Sequence, residues 1–140
     1  PEPLSTLTPQ LLLSRLARRS IAIKSALLDQ SVVAGIGNIY ADEALHRAAI
    51  HPQRPAHSLT TDEAAALCDA MREVLAGAVE RHGTTLSDEQ FVGLEGRMGE
   101  NQGHLTVFRR TGQACPRCGA TVQRVRLGGR STHFCPHCQR

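Results

Sequence analysis

The chain has 140 residues, of which 41% are hydrophobic, and a formal charge of +3 at pH 7. This length fits one domain of ordinary size, or one small domain followed by a module that a metal ion stabilises. No apolar run reaches the roughly 18 residues that a membrane-spanning helix needs, and no basic segment followed by an apolar one stands at the start. Four of the five cysteines form two CxxC pairs, a metal-binding spacing rather than a secreted disulfide framework, so we expect an intracellular protein.

Helices are predicted through the first part of the chain, which is rich in Ala and Leu. Thr8 and Pro9 suit the N-cap and the first position of a helix. A second, short helix is predicted over 23–33, a third over 38–48, and the longest over 61–83, where apolar residues recur every three or four positions. The first half of the protein is therefore expected to be a helical domain.

Two glycines and an asparagine, Gly35, Gly37 and Asn38, separate the second and third predicted helices. A helix N-terminus presents unpaired N–H groups and the positive end of the dipole, and glycines leave room for another molecule's backbone. Asn38 can donate its amide to a phosphate oxygen or cap its own helix, and Lys24 supplies positive charge nearby. Two interpretations stay open: a phosphate-binding turn, or a tight turn that needs glycine for a positive φ.

The character of the chain changes after residue 83. The stretch "GLEGRMGENQG" predicts a polar, glycine-rich loop over 93–103, and "HLTVF" predicts a strand over 104–108. The expected architecture is mainly α: a helical domain over 8–92, this loop, and a small zinc-bound β-hairpin module over 104–140.

Positive charge is concentrated in that last module. No Asp or Glu follows Leu105, which favours a polyanionic partner, nucleic acid first, over the alternative of a merely solvated surface. The arginines after Leu105 are Arg109, Arg110, Arg117, Arg124, Arg126, Arg130 and Arg140.

The cysteine spacing predicts one structural Zn²⁺, because two CxxC pairs separated by sixteen residues supply four thiolates and leave no open coordination position. Gly128-Gly129 predicts the turn of a hairpin between the pairs. His133 and His137 are expected to be solvent-facing neighbours rather than ligands, and Cys68 to be a small core residue of the longest helix. The predicted ligands are Cys115, Cys118, Cys135 and Cys138.

Arg130 directly follows the predicted hairpin turn, where a guanidinium can reach outward. It is either one more surface arginine or a finger that places two donors on a phosphate. Sequence alone leaves both interpretations open.

Two long stretches resemble a known family. "IKSALLDQSVVAGIGNIYADEALHRAAIHPQRPA" resembles the helix–two-turn–helix of formamidopyrimidine-DNA glycosylases, and "GQACPRCGATVQRVRLGGRSTHFCPHCQR" resembles the zinc finger at the end of those bacterial enzymes. The resemblance covers nearly the whole chain in the same order. "GNIYADE" favours the branch that excises 8-oxoguanine and formamidopyrimidines over the endonuclease VIII branch.

The resemblance implies roles for particular residues. Asn38, assisted by the amides of the Gly35–Gly37 turn, would bind the phosphate at the lesion, and Lys24 would lie close to the lesion pocket. Glu43 would face the active site and help to organise it. Arg130 would grip phosphate beside the everted nucleotide and assist strand cleavage.

The resemblance also implies partners and surroundings. The partner would be double-stranded DNA with oxidised purines or abasic sites, bound by a monomer in the bacterial cytoplasm, at the nucleoid. The glycine-rich loop would close over the flipped base and offset the cost of unstacking it. Phe108 stands where the family usually has a tyrosine whose hydroxyl reaches phosphate. Arg109 is a further candidate DNA-binding residue, and whether it compensates for that hydroxyl stays open.

The family's nucleophile is an N-terminal proline followed by glutamate, and this chain begins Pro1-Glu2. "PEPLS" instead resembles the linker that joins the family's first domain to the helical domain, so residues 1–7 are expected to be linker. The chain would then bind DNA and lack glycosylase activity of its own. The competing hypothesis is a non-enzymatic zinc ribbon that binds nucleic acid or protein.

Overall fold

The computed structural model describes residues 6–29, 31–32, 36–82 and 105–140. Within these ranges, four α-helices and a short 3₁₀ turn precede a two-stranded antiparallel hairpin. The elements are α1 (Pro9–Leu16), α2 (Ile23–Leu28), α3 (Asn38–Arg47), the 3₁₀ turn (Ala56–Ser58), α4 (Thr61–His82), β1 (Gln123–Leu127) and β2 (Arg130–Phe134). The prediction of a mainly helical protein that ends in a small hairpin module is confirmed.

The first helix begins as its sequence predicts. The Thr8 hydroxyl accepts a hydrogen bond from the N–H of Leu11 at 3.1 Å, and Pro9 occupies the first turn. The longest helix begins with a reciprocal cap: the N–H of Glu63 donates to the Thr60 hydroxyl at 3.1 Å, and the N–H of Thr60 donates to the Glu63 carboxylate at 2.9 Å. Local capping chemistry therefore places both helix starts.

The second helix is shorter than the predicted span of 23–33, because α2 ends at Leu28. Asp29 has an extended backbone, and its carboxylate accepts hydrogen bonds from the N–H and the hydroxyl of Ser31 at 2.9 and 2.8 Å. Those hydrogen bonds, the backbone one first, lower the pKa of Asp29. Arg19 of the segment after α1 binds the same carboxylate at 2.7 Å. The side chain of Asp29 thus competes with the helix and ends it.

The helices pack around one apolar core to which every helix contributes. Cys68 is fully buried in it, as expected for a small core residue. Its largest fully buried apolar side chains include Leu12, Leu16, Ile23, Leu27, Ile39, Leu45, Leu67 and Met71. A second, much smaller cluster underlies the hairpin and consists of Val107, Cys115, Val122 and Cys135.

The hairpin turns where the sequence predicts. Gly128 and Gly129 both have positive φ, 56° and 79°, the left-handed conformation that this two-residue turn requires at both positions. The register pairs Leu127 with Arg130 next to the turn and Gln123 with Phe134 at the far end. Arg130 is therefore the first residue after the turn, at the tip of the hairpin.

The predicted strand over 104–108 is wrong for residues 105–108, which form a turn. Leu105 and Phe108 pack into the helical core, whereas Val107 belongs to the small cluster under the hairpin. Arg109 then has a positive φ of 58°. The side chains of this segment pack into two different cores. Its backbone N–H groups donate to a side chain of α3 and therefore cannot pair with a strand.

Several predictions fall outside the described residues. These are the glycine-rich loop over 93–103, Gly35, and Pro1-Glu2 in the linker over 1–7. Among the residues described, no helix is long and apolar enough to cross a membrane.

Candidate nucleic-acid interface

The four predicted cysteine ligands converge. Cys115 Sγ lies 3.9 Å from Cys138 Sγ, Cys118 Sγ lies 3.4 Å from Cys135 Sγ, and all four sulfurs lie within 4.8 Å of one another. Four sulfurs bound at about 2.3 Å to a tetrahedral zinc ion would be about 3.8 Å apart, so the donor set fits zinc. The four thiolates form a structural zinc site and leave no open position for catalysis.

The zinc site is supported from the helical side. His46 of α3 places Nε2 3.3 Å from Cys115 Sγ and Nδ1 2.9 Å from the Thr106 hydroxyl. Burial, followed by the positive charges of Arg117 and Arg47, lowers the pKa of His46 to about 4. Arg117 also donates to the His46 carbonyl and, at 3.4 Å, to Cys138 Sγ. The metal site is therefore tied to the C-terminal half of α3.

Lys24 does not offer its charge to a ligand as predicted. Its side chain is fully buried, and Nζ lies 2.5 Å from Asp42 Oδ1, 3.0 Å from the Thr132 hydroxyl and 3.3 Å from the Ser131 carbonyl. The ammonium therefore joins α2 and α3 to the hairpin. A correction follows: in this structure Lys24 binds its own protein rather than a phosphate.

Asn38 lies at the N-terminus of α3, where the preceding Gly37 has no side chain to cap the helix. It is the first helical residue and so does not cap its own helix. Its Nδ2 donates to the Ser131 carbonyl at 3.1 Å, while Oδ1 is buried without a hydrogen-bond partner. One amide hydrogen is thus used within the protein, and the second is left to donate.

Gly37 does not need glycine's conformational freedom. Its φ of −97° and ψ of 177° are extended values that any residue adopts. The open interpretation of a turn that requires positive φ therefore does not apply to Gly37. Gly37 places no side chain beside the start of α3, whose first-turn residues Asn38, Ile39 and Tyr40 are buried.

Arg130 is exposed at the tip of the hairpin. The tip lies against α2, since a Cβ added to Gly128 would come within 3.3 Å of Ser25 Oγ. The next residue, Ser131, is the one whose carbonyl accepts the bond from Asn38. The structure thus brings Arg130 and Asn38 to neighbouring positions, although the two are far apart in the sequence.

Glu43 is only 5% exposed and is not an open catalytic carboxylate. It accepts hydrogen bonds from the backbone N–H groups of Thr106, Val107 and Phe108 at 2.8 to 3.0 Å, and from the Thr106 hydroxyl at 2.9 Å. These bonds consume the donors that a strand over 104–108 would have used. Glu43 therefore holds the backbone that leads into the zinc module.

His133 is buried, contrary to the expectation that it faces solvent. Both its backbone N–H and its Nδ1 lie within 3.0 Å of Asp42 Oδ2, and its ring contacts Phe108 edge to face. It is not among the clustered metal-binding residues, and His137 is exposed as expected. Burial follows from the docking of β2 on α3, which the sequence does not display.

Phe108 is 4% exposed, with its ring in the helical core and the Arg109 guanidinium 5.3 Å from the ring centroid. This cation–π contact holds an exposed arginine near the ring. Arg109 is thereby kept at the surface of the 105–108 turn, on the same module as Arg130.

Sequence analysis missed Asp42 and His46. Both lie on α3 beside Glu43 and are almost fully buried, Asp42 at 1% and His46 at 3% exposed. A polar residue on a helix is usually solvated, and no local pattern separates these two from ordinary surface positions. Only the sequence spacing offered a signal, since Glu43 and His46 stand three residues apart on one helical face.

Two family models match the chain. One, described as "Formamidopyrimidine-DNA glycosylase H2TH domain", matches residues 1–90, and the other, "Zinc finger found in FPG and IleRS", matches residues 112–140. The two matches cover both structural parts described above.

Curated relatives agree. A protein named formamidopyrimidine-DNA glycosylase from Roseiflexus sp. is 52% identical over 140 residues, covering 99% of this chain and 50% of the relative. A protein of the same name from Symbiobacterium thermophilum is 53% identical, with 99% of this chain and 45% of the relative covered. The chain thus spans about half the length of these relatives.

Solved structures agree as well. The complex of Lactococcus lactis Fpg with DNA containing an abasic site superposes with a TM-score of 0.84 at 35% identity, covering 99% of this chain and 51% of that one. The complex of the same enzyme with DNA containing FAPY-dG gives 0.82 at 38% identity, with coverage of 95% and 47%. Both structures are thus complexes with damaged DNA.

Proposed function

This chain belongs to the formamidopyrimidine-DNA glycosylase family, and on that premise we propose that it is the part of such an enzyme that binds damaged DNA. The whole protein would remove oxidised purines, 8-oxoguanine and formamidopyrimidines, and nick the strand by β- and δ-elimination. The partner is double-stranded DNA with such lesions or abasic sites, bound by a monomer in the bacterial cytoplasm, at the nucleoid.

One observation carries this proposal: the N-terminus of α3 and the exposed tip of the hairpin lie side by side. Asn38 donates to the carbonyl of Ser131, which directly follows Arg130. A helix N-terminus attracts anions, and a guanidinium binds phosphate through two parallel hydrogen bonds. Together they form a two-sided grip for a DNA backbone.

Each side of the grip supplies a different interaction. Arg130 contributes a full positive charge and a bidentate donor at the tip. Asn38 contributes its second amide hydrogen at the N-terminus of α3, where Gly37 adds no side chain. Arg109 adds a further exposed charge on the zinc module. Lys24 and Glu43 act from within, because both are buried and fully engaged in holding these elements.

In the whole enzyme an amine attacks C1′ of the damaged nucleotide and displaces the base. The sugar ring then opens at the C1′–O4′ bond to give a Schiff base, and β- and δ-elimination cut the strand. The phosphate grip would hold the distorted backbone during these steps, and Arg130 would neutralise the phosphate charge as the strand is cut. Borohydride trapping on an 8-oxoguanine duplex tests whether the chain itself forms the Schiff base. We expect no covalent adduct.

The proposal is tested by fluorescence anisotropy with a duplex that carries a tetrahydrofuran abasic analogue. We expect the zinc-loaded chain to bind this duplex with an affinity that falls steeply as salt rises. Asn38→Ala should weaken binding about tenfold, the value of one hydrogen bond to a charged group. An unchanged affinity in Asn38→Ala would favour the competing zinc-ribbon hypothesis.

Arg47→Gln is the matched control for loss of charge. Arg47 is exposed, lies at the opposite end of α3 from Asn38 and makes only a loose ion pair with Glu73 at 3.6 Å. Arg47→Gln should change the affinity for the abasic duplex less than about twofold, because salt screens the effect of a distant surface charge on binding. A loss equal to that of Asn38→Ala would mean that the helix N-terminus is not the binding site.

A further inference from the structure

Asp42 lies at the junction of three elements. Its side chain is 0% exposed, Oδ1 lies 2.5 Å from Lys24 Nζ of α2, and Oδ2 accepts the backbone N–H of His133 of β2 at 3.0 Å. The His133 ring adds Nδ1 at 2.9 Å from the same oxygen. One carboxylate of α3 therefore binds a helix with one oxygen and the hairpin with the other.

Lys24 extends the same junction to the hairpin. Besides Asp42, its Nζ contacts the Thr132 hydroxyl at 3.0 Å and the Ser131 carbonyl at 3.3 Å. The three consecutive residues 131–133 are thus each held by a charged group buried in the helical domain. These contacts hold β2 close to the tip of the hairpin, in addition to the attachment at the zinc ligands.

Because the Lys24–Asp42 pair is buried, it restricts the position in which the hairpin can dock. Lys24 and Asp42 both have fully buried side chains, so neither charge is solvated by bulk water. A small displacement of the hairpin would leave a charge without its hydrogen-bond partners, which is strongly unfavourable in a low-dielectric interior. The junction therefore permits one docked position of the hairpin and penalises others.

The junction is also close to the phosphate grip. Asn38 and Asp42 are four residues apart on α3, so they lie one turn apart on one face, and both bond β2. Arg130 directly precedes the residues that this face holds. The position of the hairpin tip relative to the helix N-terminus is consequently set by Asp42 and its partners.

We propose that Asp42 is a positioning residue: by holding Lys24 with one carboxylate oxygen and His133 with the other, it keeps Arg130 in place beside Asn38. The proposal rests on the proposed function in one respect, namely that Arg130 and Asn38 grip the same DNA. The docking of the hairpin itself does not depend on DNA and can be measured in its absence.

Three variants probe the junction in steps. Asp42→Asn removes the carboxylate but leaves a buried ammonium without a counter-ion, so it can fail to fold. Thr132→Val combined with His133→Phe is milder, because it keeps the Lys24–Asp42 pair and the ring packing and deletes only side-chain bonds to β2. Glu73→Gln is the control, since it breaks an exposed ion pair between Glu73 of α4 and Arg47, which lie 3.6 Å apart.

The first measurement is the orientation of the hairpin, from ¹H–¹⁵N residual dipolar couplings of the zinc-loaded chain without DNA. In the unmodified chain and in Glu73→Gln, one alignment tensor should describe the helices and the hairpin amides together. In the Thr132→Val/His133→Phe variant the hairpin should require a separate, smaller tensor, with zinc content unchanged at one ion per chain. Hairpin couplings that still fit the helical tensor would overturn the proposal.

The second measurement is a double-mutant cycle for binding to the abasic duplex. In the unmodified background, Asn38→Ala and Arg130→Ala together should weaken binding about fivefold less than the product of the single effects, because the two contacts act as one unit. In the Thr132→Val/His133→Phe background the effects should multiply to within about twofold. Equal coupling in both backgrounds would contradict the positioning role.

The two measurements also separate this proposal from the proposed function. If the unmodified chain fails to bind the abasic duplex, the proposed function is wrong, and the dipolar couplings still decide whether Asp42 positions the hairpin. If it binds and the variant's hairpin stays in place, only the positioning role is wrong.

Discussion

Asn38 and Ser131 meet across the junction between the helical part and the hairpin, with Asn38 Nδ2 donating to the Ser131 carbonyl at 3.1 Å. The bond spans 93 positions of sequence. It places the N-terminus of α3 beside the residue that follows Arg130, and the account of DNA binding depends on this proximity.

Replacing Arg130 should weaken DNA binding and reduce its salt dependence. We expect Arg130→Ala to lower the affinity for the abasic duplex about tenfold or more, and to reduce the slope of log K against log salt by about one. Arg130→Lys should recover the slope but not the full affinity, because an ammonium cannot form the bidentate contact. Anisotropy titrations over a range of salt concentrations give both quantities, and an unaltered slope in Arg130→Ala would exclude a phosphate contact.

Removing zinc should abolish the grip while sparing most of the helices. The small cluster under the hairpin is too small to stand without the metal, so the hairpin should unfold when a chelator removes it. We expect one zinc ion released per chain, a small loss of circular dichroism at 222 nm, and loss of binding to the abasic duplex. Cys135→Ser should reproduce this result, and Cys68→Ser, which changes the buried thiol of α4, should retain the zinc ion.

Replacing Glu43 should release the 105–108 turn. In Glu43→Gln an amide group faces the three backbone N–H groups that the carboxylate now accepts, so at least one buried donor loses its partner. We expect the free energy of unfolding to fall by about 2–4 kcal/mol, the range for unpaired buried donors near a former charge. Hydrogen exchange should quicken at the amides of Thr106, Val107 and Phe108. Exchange that stays as slow as in the unmodified chain would show that the carboxylate does not hold this turn.

The ion pair between Arg54 and Glu63 at the start of α4 predicts how the free energy of unfolding depends on pH. Hydrogen bonds from Arg54 lower the pKa of Glu63 from 4.5 to about 2. A depressed carboxyl pKa contributes stability that is fully present above 4.5 and is lost only as the pH falls through 2. Because the pair is partly solvated, with 24% and 30% of its side chains exposed, we expect Glu63→Gln to cost about 1–2 kcal/mol.

That cost should be the same at pH 7 and pH 5.5, and urea unfolding followed by circular dichroism measures it at both. Glu73→Gln is the control, since Glu73 is well exposed and lies 3.6 Å from Arg47. A cost that falls by half between pH 7 and pH 5.5 would contradict the lowered pKa.

Features set by short-range chemistry were predictable from the sequence. The zinc ligands follow from the CxxC spacing, the hairpin turn from Gly128-Gly129, and the start of α1 from Thr8 and Pro9. In each case the residues that decide the structure lie within a few positions of one another. The resemblance to the family was likewise carried by contiguous stretches, and both family models match them.

The errors concern side chains whose partners are distant in sequence. Lys24 meets Thr132 across 108 positions, Asp42 meets His133 across 91, and Glu43 meets Val107 across 64. A charged residue whose partner is unknown is expected to be solvated, because burying it alone is costly. Sequence analysis therefore placed Lys24 at a ligand, His133 in solvent and residues 104–108 in a strand. The docking of the hairpin on α3 accounts for the burial of Lys24 and His133, and the hydrogen bonds to the Glu43 carboxylate account for the absence of a strand over the described residues 105–108.

The most direct test of the central claim is a map of amide chemical-shift changes when the zinc-loaded chain is titrated with the abasic duplex. The account predicts the largest changes at two places, residues 36–40 at the N-terminus of α3 and residues 128–131 at the hairpin tip. Arg47 and the knuckle over 115–118, at the other end of α3, should change little. Shift changes concentrated at that knuckle, with residues 36–40 and 128–131 unaffected, would contradict the account.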